Sequence, residues 1–274
     1  MSNRLREVFA AGKAAGRPLF VAYVTGGYPT PADTAPILLA MEAGGADLIE
    51  IGVPFTDPLA DGATIQHANQ VAIEHGVTMA QCFDFVREAR AQGLKAPVLF
   101  MGYYNPILSL GEERAAKLAH DAGGDGFIII DLPPEEASVF VAACRANDMS
   151  FVPLVAPTTA EERIAKLDAV ADGFIYCVSV TGTTGGSAVS PEALPEFLAR
   201  VRRHTKLPLA VGFGISTRAH VQAVGKLADA AVIGSAIIGC IDAAAGRLSK
   251  PGSLDRGPGI AQSVREFVEN VSGH

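Results

Sequence analysis

Two carboxylates in one short stretch carry the first chemical signal. Glu50 lies inside an apolar run, Leu48-Ile49-Glu50-Ile51-Gly52-Val53, and Asp61 follows in PFTDPLADGATIQ at 54–66. If the run is a strand, its side chains alternate between faces. Ile49, Ile51 and Val53 then face one side, and Leu48, Glu50 and Gly52 the other. An acid on the inner face of such a strand is costly to bury unless it is paired or protonated. Burial raises its pKa and suits it to proton transfer near neutrality. The alternative is a structural glutamate satisfied by a hydroxyl or a water. Asp61 reads two ways: a second catalytic acid, or the cap of a helix that begins near Ala63. Asp57 shares its loop.

Glycine clusters supply the second signal. GTTGGS (182–187), VGFGIST (211–217) and IGSAI (233–237) each follow an apolar run, and the last two open helical patterns. Glycine lets backbone N–H groups approach an anion, and a helix N-terminus adds donors and a favourable dipole. Each cluster alone could be turn chemistry. Together, in the last three loops of a barrel, they point to a phosphate site.

What is missing narrows the chemistry further. No Lys or Arg occurs between Arg17 and Arg87, and no lysine falls at the end of an apolar run where a Schiff-base aldolase needs one. His67, His75, His120, His204, His220 and His274 read as helical or terminal, so clustered metal ligands are not expected, and the metal expectation is none. Any carbon–carbon cleavage would then rest on carboxylate acid–base catalysis, with the substrate supplying its own electron sink. Tyr176 shares strand parity with Phe174 and Val178 and reads as a pocket residue near Glu50 or a core aromatic. Asp131, before Leu132-Pro133-Pro134, reads as a cap or brace.

Such residues need a scaffold. Eight short apolar runs recur at 19–25, 47–53, 97–103, 126–132, 151–157, 174–180, 207–214 and 230–235, with helical periodicity between them. Near-continuous apolar runs suit parallel strands buried on both faces. The alternation predicts an α/β fold, a (β/α)8 TIM barrel with an extra N-terminal helix (Leu5, Val8 and Phe9 on one stripe) and extra helical segments. The length of 274 residues fits one barrel, and no linker divides it, so 1–274 reads as a single domain. No G-x-G-x-x-G follows the first run, which disfavours a dinucleotide-binding open sheet.

The net charge of −7, without a basic block, disfavours nucleic-acid partners. No apolar segment is long enough to span a membrane. Four cysteines, at 82, 144, 177 and 240, form no C-x-x-C pair; free thiols in the cytoplasm are the expectation.

The motifs FVAYVTGGYP, LIEIGVPFTDPLADGATIQ, DLPPEE, YCVSVTGTTGG, VGFGIS and GSAI occur in this order, and together the chain resembles the tryptophan synthase α-subunit family over roughly residues 5–270. The resemblance implies retro-aldol cleavage of indole-3-glycerol phosphate to indole and glyceraldehyde 3-phosphate. It implies Glu50 as the acid–base for the ring carbon and Asp61 as the acceptor of the indole N–H. It further implies Tyr176 beside the reacting group, and Gly185, Phe213, Gly214, Gly234 and Ser235 on phosphate. Thr184 would close the loop onto Asp61, and Phe20, Met101, Tyr103, Ile129 and Leu132 would pack on the ring. The implied partner is a PLP-dependent β subunit in an α2β2 tetramer, met through Pro54, Asp57 and the segment around Asn105 and Pro106, with no cofactor in this chain. Three alternatives stand beside this: a stand-alone lyase that releases free indole, a non-catalytic phosphosugar-binding barrel, and a barrel isomerase of phosphoribosyl intermediates.

Overall fold

The computed structural model describes residues 2–178, 193–212, 214–248 and 259–273. Among the described residues, nine parallel strands form one sheet: β1 (Leu19–Thr25), β2 (Leu48–Gly52), β3 (Val98–Gly102), β4 (Gly126–Ile129), β5 (Ser150–Val152), β6 (Leu154–Val155), β7 (Ile175–Val178), β8 (Leu209–Gly212) and β9 (Ala230–Ile233). Their order is β5-β4-β3-β2-β1-β9-β8-β7-β6. The two outermost members are successive halves of one run, parted by Pro153, whose nitrogen has no hydrogen for the ladder. The Pro153 carbonyl still accepts from Tyr176 N–H at 3.0 Å, so the sheet closes through this point. The eight runs read from the sequence are thus eight staves of a TIM barrel, the fifth of them broken at its proline.

Helices separate the strands. The expected N-terminal helix spans Asn3–Ala15, and additional helices lie at Ala63–Glu74 and Met79–Ala91 between β2 and β3, at Tyr104–Leu110 after β3, and at Ile260–Ser272 at the end of the described chain. None of the helices of the described residues is long and apolar enough to cross a membrane.

Strand alternation sorts the core into two layers. One face of each strand packs under the helices: Phe20, Ala22 and Val24 on β1, Ile49 and Ile51 on β2, and Phe127 and Ile129 on β4. The other face fills the barrel: Leu19, Val21 and Tyr23, Leu48, Leu99 and Met101, Ile128, Phe174 and Tyr176, Ala210, Ala230 and Val232. From the N-terminal helix, Leu5 and Phe9 join this inner cluster, and the Phe9 ring lies 5.5 Å from that of Phe174. The helix is moored by Asp125, which accepts from Ser2 Oγ, Arg4 Nε and Arg90 Nη2. One end of the lumen is therefore plugged with apolar side chains, and the polar site must form at the other.

Candidate functional site

β2 delivers Glu50 to the lumen two residues before the strand ends. Its side chain is fully buried, and neither carboxylate oxygen has a hydrogen-bond partner among the described residues. Burial alone pushes its pKa up to about 8, because the charged form loses its hydration and gains nothing in return. At neutral pH Glu50 therefore holds a proton that it can give.

Asp61 reaches the same place from the loop after β2, which folds back through a hydrogen bond from Asp61 N–H to the Pro58 carbonyl, 3.0 Å. It is only 7% exposed. The capping alternative fails: the helix Ala63–Glu74 has Gly62 at its N-cap and no side chain capping it. Burial raises the Asp61 pKa to about 6, held back from rising further by hydrogen bonds from Tyr103 and Asn69. At neutral pH it is mostly ionised. The two carboxyls thus sit in the opposite protonation states that an acid and a charge stabiliser require.

Both acids line a cavity of about 300 Å³ whose walls also include Tyr23, Ile65, Met101, Tyr176 and Val232. The wall is largely apolar and aromatic, suited to a flat ring. Two glycines give the tyrosines their room. A Cβ at Gly52 would overlap the Tyr23 hydroxyl, and one at Gly212 the Tyr176 hydroxyl. Gly214, Ile215, Ser216, Gly234, Ser235 and Ala236 form the opposite rim. Gly214 adopts a left-handed φ of 76°, and Ser235 begins the helix Ser235–Leu248. The first N–H groups of a helix have no partner within it and favour an anion. No Lys, Arg or His is among the described residues lining the cavity, so an anion there would be held by backbone groups and hydroxyls.

Of the residues expected from sequence, Glu50, Asp61, Met101, Tyr176, Gly214, Gly234 and Ser235 share this cavity. Tyr103 stands beside it, bonded to Asp61 and stacked on Phe55 at 5.0 Å between ring centroids. Three expectations are corrected. Phe20 and Ile129 face the helix layer, because the lumen parity of β1 is 19-21-23 and that of β4 includes Ile128. Ile129 borders a different cavity, with Asp131, Leu132 and Pro133, and Leu132 likewise packs in the outer core. Thr184, Gly185 and Phe213 lie outside the described residues. Asp131 acts as a brace: its Oδ1 accepts from Tyr104 N–H at 2.7 Å, capping the helix that carries Asn105.

Asp57 and Asn105 are exposed, whereas Pro54 is buried, so it shapes its loop rather than presenting a surface. Sequence reading missed Tyr23 and Asn69. Tyr23 pairs with Glu50 in the β1–β2 register, a relation that strand pairing alone reveals. Asn69 lies two turns into the helix after Asp61, where the eight-residue spacing was a usable hint.

Comparison with known proteins points one way. The family model described as "Tryptophan synthase alpha chain" matches residues 9–253. The tryptophan synthase alpha chain of Roseiflexus sp. is 50% identical over 99% of this chain and 100% of its own length. The tryptophan synthase of Saccharomyces cerevisiae is 51% identical over 90% of this chain, which spans 35% of that longer protein. A solved structure of Mycobacterium tuberculosis tryptophan synthase superposes with a TM-score of 0.87 at 30% identity, covering 100% of this chain and 98% of that one.

Proposed function

The chain belongs to the tryptophan synthase alpha chain family, whose reaction is the cleavage of indole-3-glycerol phosphate, and we propose that Glu50 and Asp61 carry that reaction here. The observation behind this reading is the meeting of a protonated, buried Glu50 and an ionised Asp61 in one apolar cavity rimmed by Gly214, Gly234 and Ser235.

The steps follow from these states. Glu50 gives its proton to the ring carbon that bears the glycerol chain. The ring nitrogen becomes an iminium, and Asp61 accepts its N–H and stabilises the developing positive charge. The hydroxyl on the adjacent side-chain carbon loses its proton, which Glu50, now a carboxylate, can take. The carbon–carbon bond breaks, its electrons return to the ring, and indole and glyceraldehyde 3-phosphate result. The ring is the electron sink, so the steps call on no imine-forming lysine. Tyr176 and Met101 pack on the ring, and the Gly214, Gly234 and Ser235 rim holds the phosphate.

The partner in this reading is a β subunit that carries PLP, in an α2β2 tetramer; this chain itself is assigned no cofactor. Two large apolar side chains support a docking surface. Leu59 is 74% exposed beside Asp57, and Leu108 is 57% exposed on the helix of Asn105. The Ala60 N–H to Tyr103 hydroxyl bond ties these two segments together. Exposed apolar groups clustered this way suit an interface. The compartment is the cytoplasm, in keeping with three buried free thiols at Cys82, Cys144 and Cys177.

The test is indole release from indole-3-glycerol phosphate, with and without a β subunit, by the wild type and Glu50→Gln. Glu50→Gln should lose cleavage while still binding glycerol 3-phosphate. Near-normal turnover by that variant would refute the assignment. Full activity of the isolated wild type, with no response to a β subunit, would favour a stand-alone lyase.

A further inference from the structure

Two protein donors converge on one oxygen of Asp61. Asn69 Nδ2 donates to Oδ2 at 3.3 Å, and the Tyr103 hydroxyl donates to the same Oδ2 at 3.5 Å. Oδ1 has no side-chain or backbone donor among the described residues. Tyr103 has no freedom in the direction of its proton. Its oxygen already accepts from Ala60 N–H at 3.0 Å, so its own hydrogen is left for Asp61. Asn69 is similarly constrained: it is 3% exposed, and turning its amide over would set an oxygen against a carboxylate. Its Oδ1 has no partner among the described residues, so the side chain is held for the sake of its nitrogen. The backbone of Asp61 is clamped as well, its carbonyl accepting from Gln66 Nε2 at 2.9 Å.

We infer that Asn69 and Tyr103 are positioning residues that act through Asp61, occupying Oδ2 so that Oδ1 is presented to the cavity as the acceptor of the substrate's ring N–H. The inference deepens the lyase reading and rests on it for the identity of that N–H. The anchors come from two different elements, the helix Ala63–Glu74 and the residue that follows β3, and so they hold a loop side chain from two directions. Hydrogen bonds of this length shorten when substrate closes the site. The other titratable groups around Asp61 are Tyr23 on β1, Glu50 on β2 and Tyr176 on β7. None is cationic, so among the described residues the two donors are the groups that favour its ionised form.

The experiment is a titration of Asp61 by 13C-carboxyl NMR in the ligand-free chain, its signal identified by its loss in Asp61→Asn. Wild type should titrate at about 6. Tyr103→Phe keeps the ring on Phe55 and Asn69→Leu keeps the bulk, and each should move the midpoint upward by about half a pH unit or more, since each removes a donor to the carboxylate. The acid limb of kcat/KM should move with it, and kcat should fall roughly tenfold with KM changed less than about threefold. Should Asn69→Leu fail to fold, Asn69→Ser keeps a polar atom but falls short of Asp61. An unmoved midpoint in either variant overturns the convergence on Oδ2. Failure of the lyase reading is separate: it would show as absent cleavage by the wild type, or full turnover by Glu50→Gln, with the Asp61 titration still responding to both substitutions.

Discussion

Tyr23 and Glu50 are register partners on β1 and β2, and both side chains enter the lumen. The Tyr23 ring reaches across toward the end of β2, where Gly52 leaves space for its hydroxyl, and that hydroxyl lies 3.3 Å from Thr25 Oγ1. Burial and the nearby acids hold the phenol far above its ordinary pKa, so it stays a neutral wall beside the acid. Proton transfer from Glu50 is thus set in a dry, uncharged surround on this side, which is what keeps its proton in place at neutral pH.

The opposite states of the two acids predict a bell-shaped pH profile. Asp61 must be ionised, so kcat/KM should rise as pH climbs through about 6. Glu50 must be protonated, so it should fall above about 8. A profile that kept rising beyond pH 9 would contradict Glu50 as the proton donor.

The same burial makes Glu50 a pH-dependent burden on stability. Its folded pKa lies above the unfolded value, so the folded state binds the extra proton between about 4.5 and 8 and stability declines as pH rises through that window. Glu50→Gln removes the burden. Its stabilisation should be small at pH 4 and grow to roughly 1–4 kcal/mol by pH 9, read from denaturant midpoints. Equal effects at both pH values would show that the acid is better solvated than the structure implies.

Gly52→Ala tests the Tyr23 notch. The new methyl would sit in the space of the Tyr23 hydroxyl and 2.7 Å from the ring carbon that bears it, so the ring must shift. We expect kcat/KM to drop by about tenfold or more, with the fold retained by circular dichroism. Pairing it with Tyr23→Phe should restore part of the loss, because the clashing oxygen is gone.

Phe20→Leu and Tyr23→Leu separate the two faces of β1. Phe20 packs under the helices, so its replacement should cost on the order of 1 kcal/mol of stability and leave KM within about twofold. Tyr23→Leu enlarges the site and should alter KM and kcat. The reverse pattern would restore Phe20 as a substrate contact.

The inner plug carries a purely structural prediction. Phe9→Ala removes a buried ring that meets Phe174 from outside the barrel and should destabilise the fold by about 3 kcal/mol. Phe174 stands two residues before Tyr176 on the same face, so a modest rise in KM is expected too, measurable by steady-state kinetics.

The barrel was legible in the sequence because each stave is a short, near-continuous apolar run and each crossover has helical periodicity, both local properties. Glu50 was legible for a related reason. One charge in an apolar strand marks the face it is on, since only the lumen end can tolerate it. Of the glycine loops read from the sequence, Gly214, Gly234 and Ser235 lie on the rim of the same cavity as the two acids.

Tertiary structure alone decided the rest. In an all-apolar strand such as Leu19–Thr25 nothing local sets the phase, and only pairing with β2 shows that Tyr23, not Phe20, looks inward. Ile129 was misplaced in the same way on β4. Whether Asp61 capped a helix or lined a cavity depended on the path of its loop, and its two donors come from a helix and from a different strand's end. Alternation is intrinsic to a strand, but its phase and the convergence of distant side chains are set by long-range packing, which one-dimensional order does not contain.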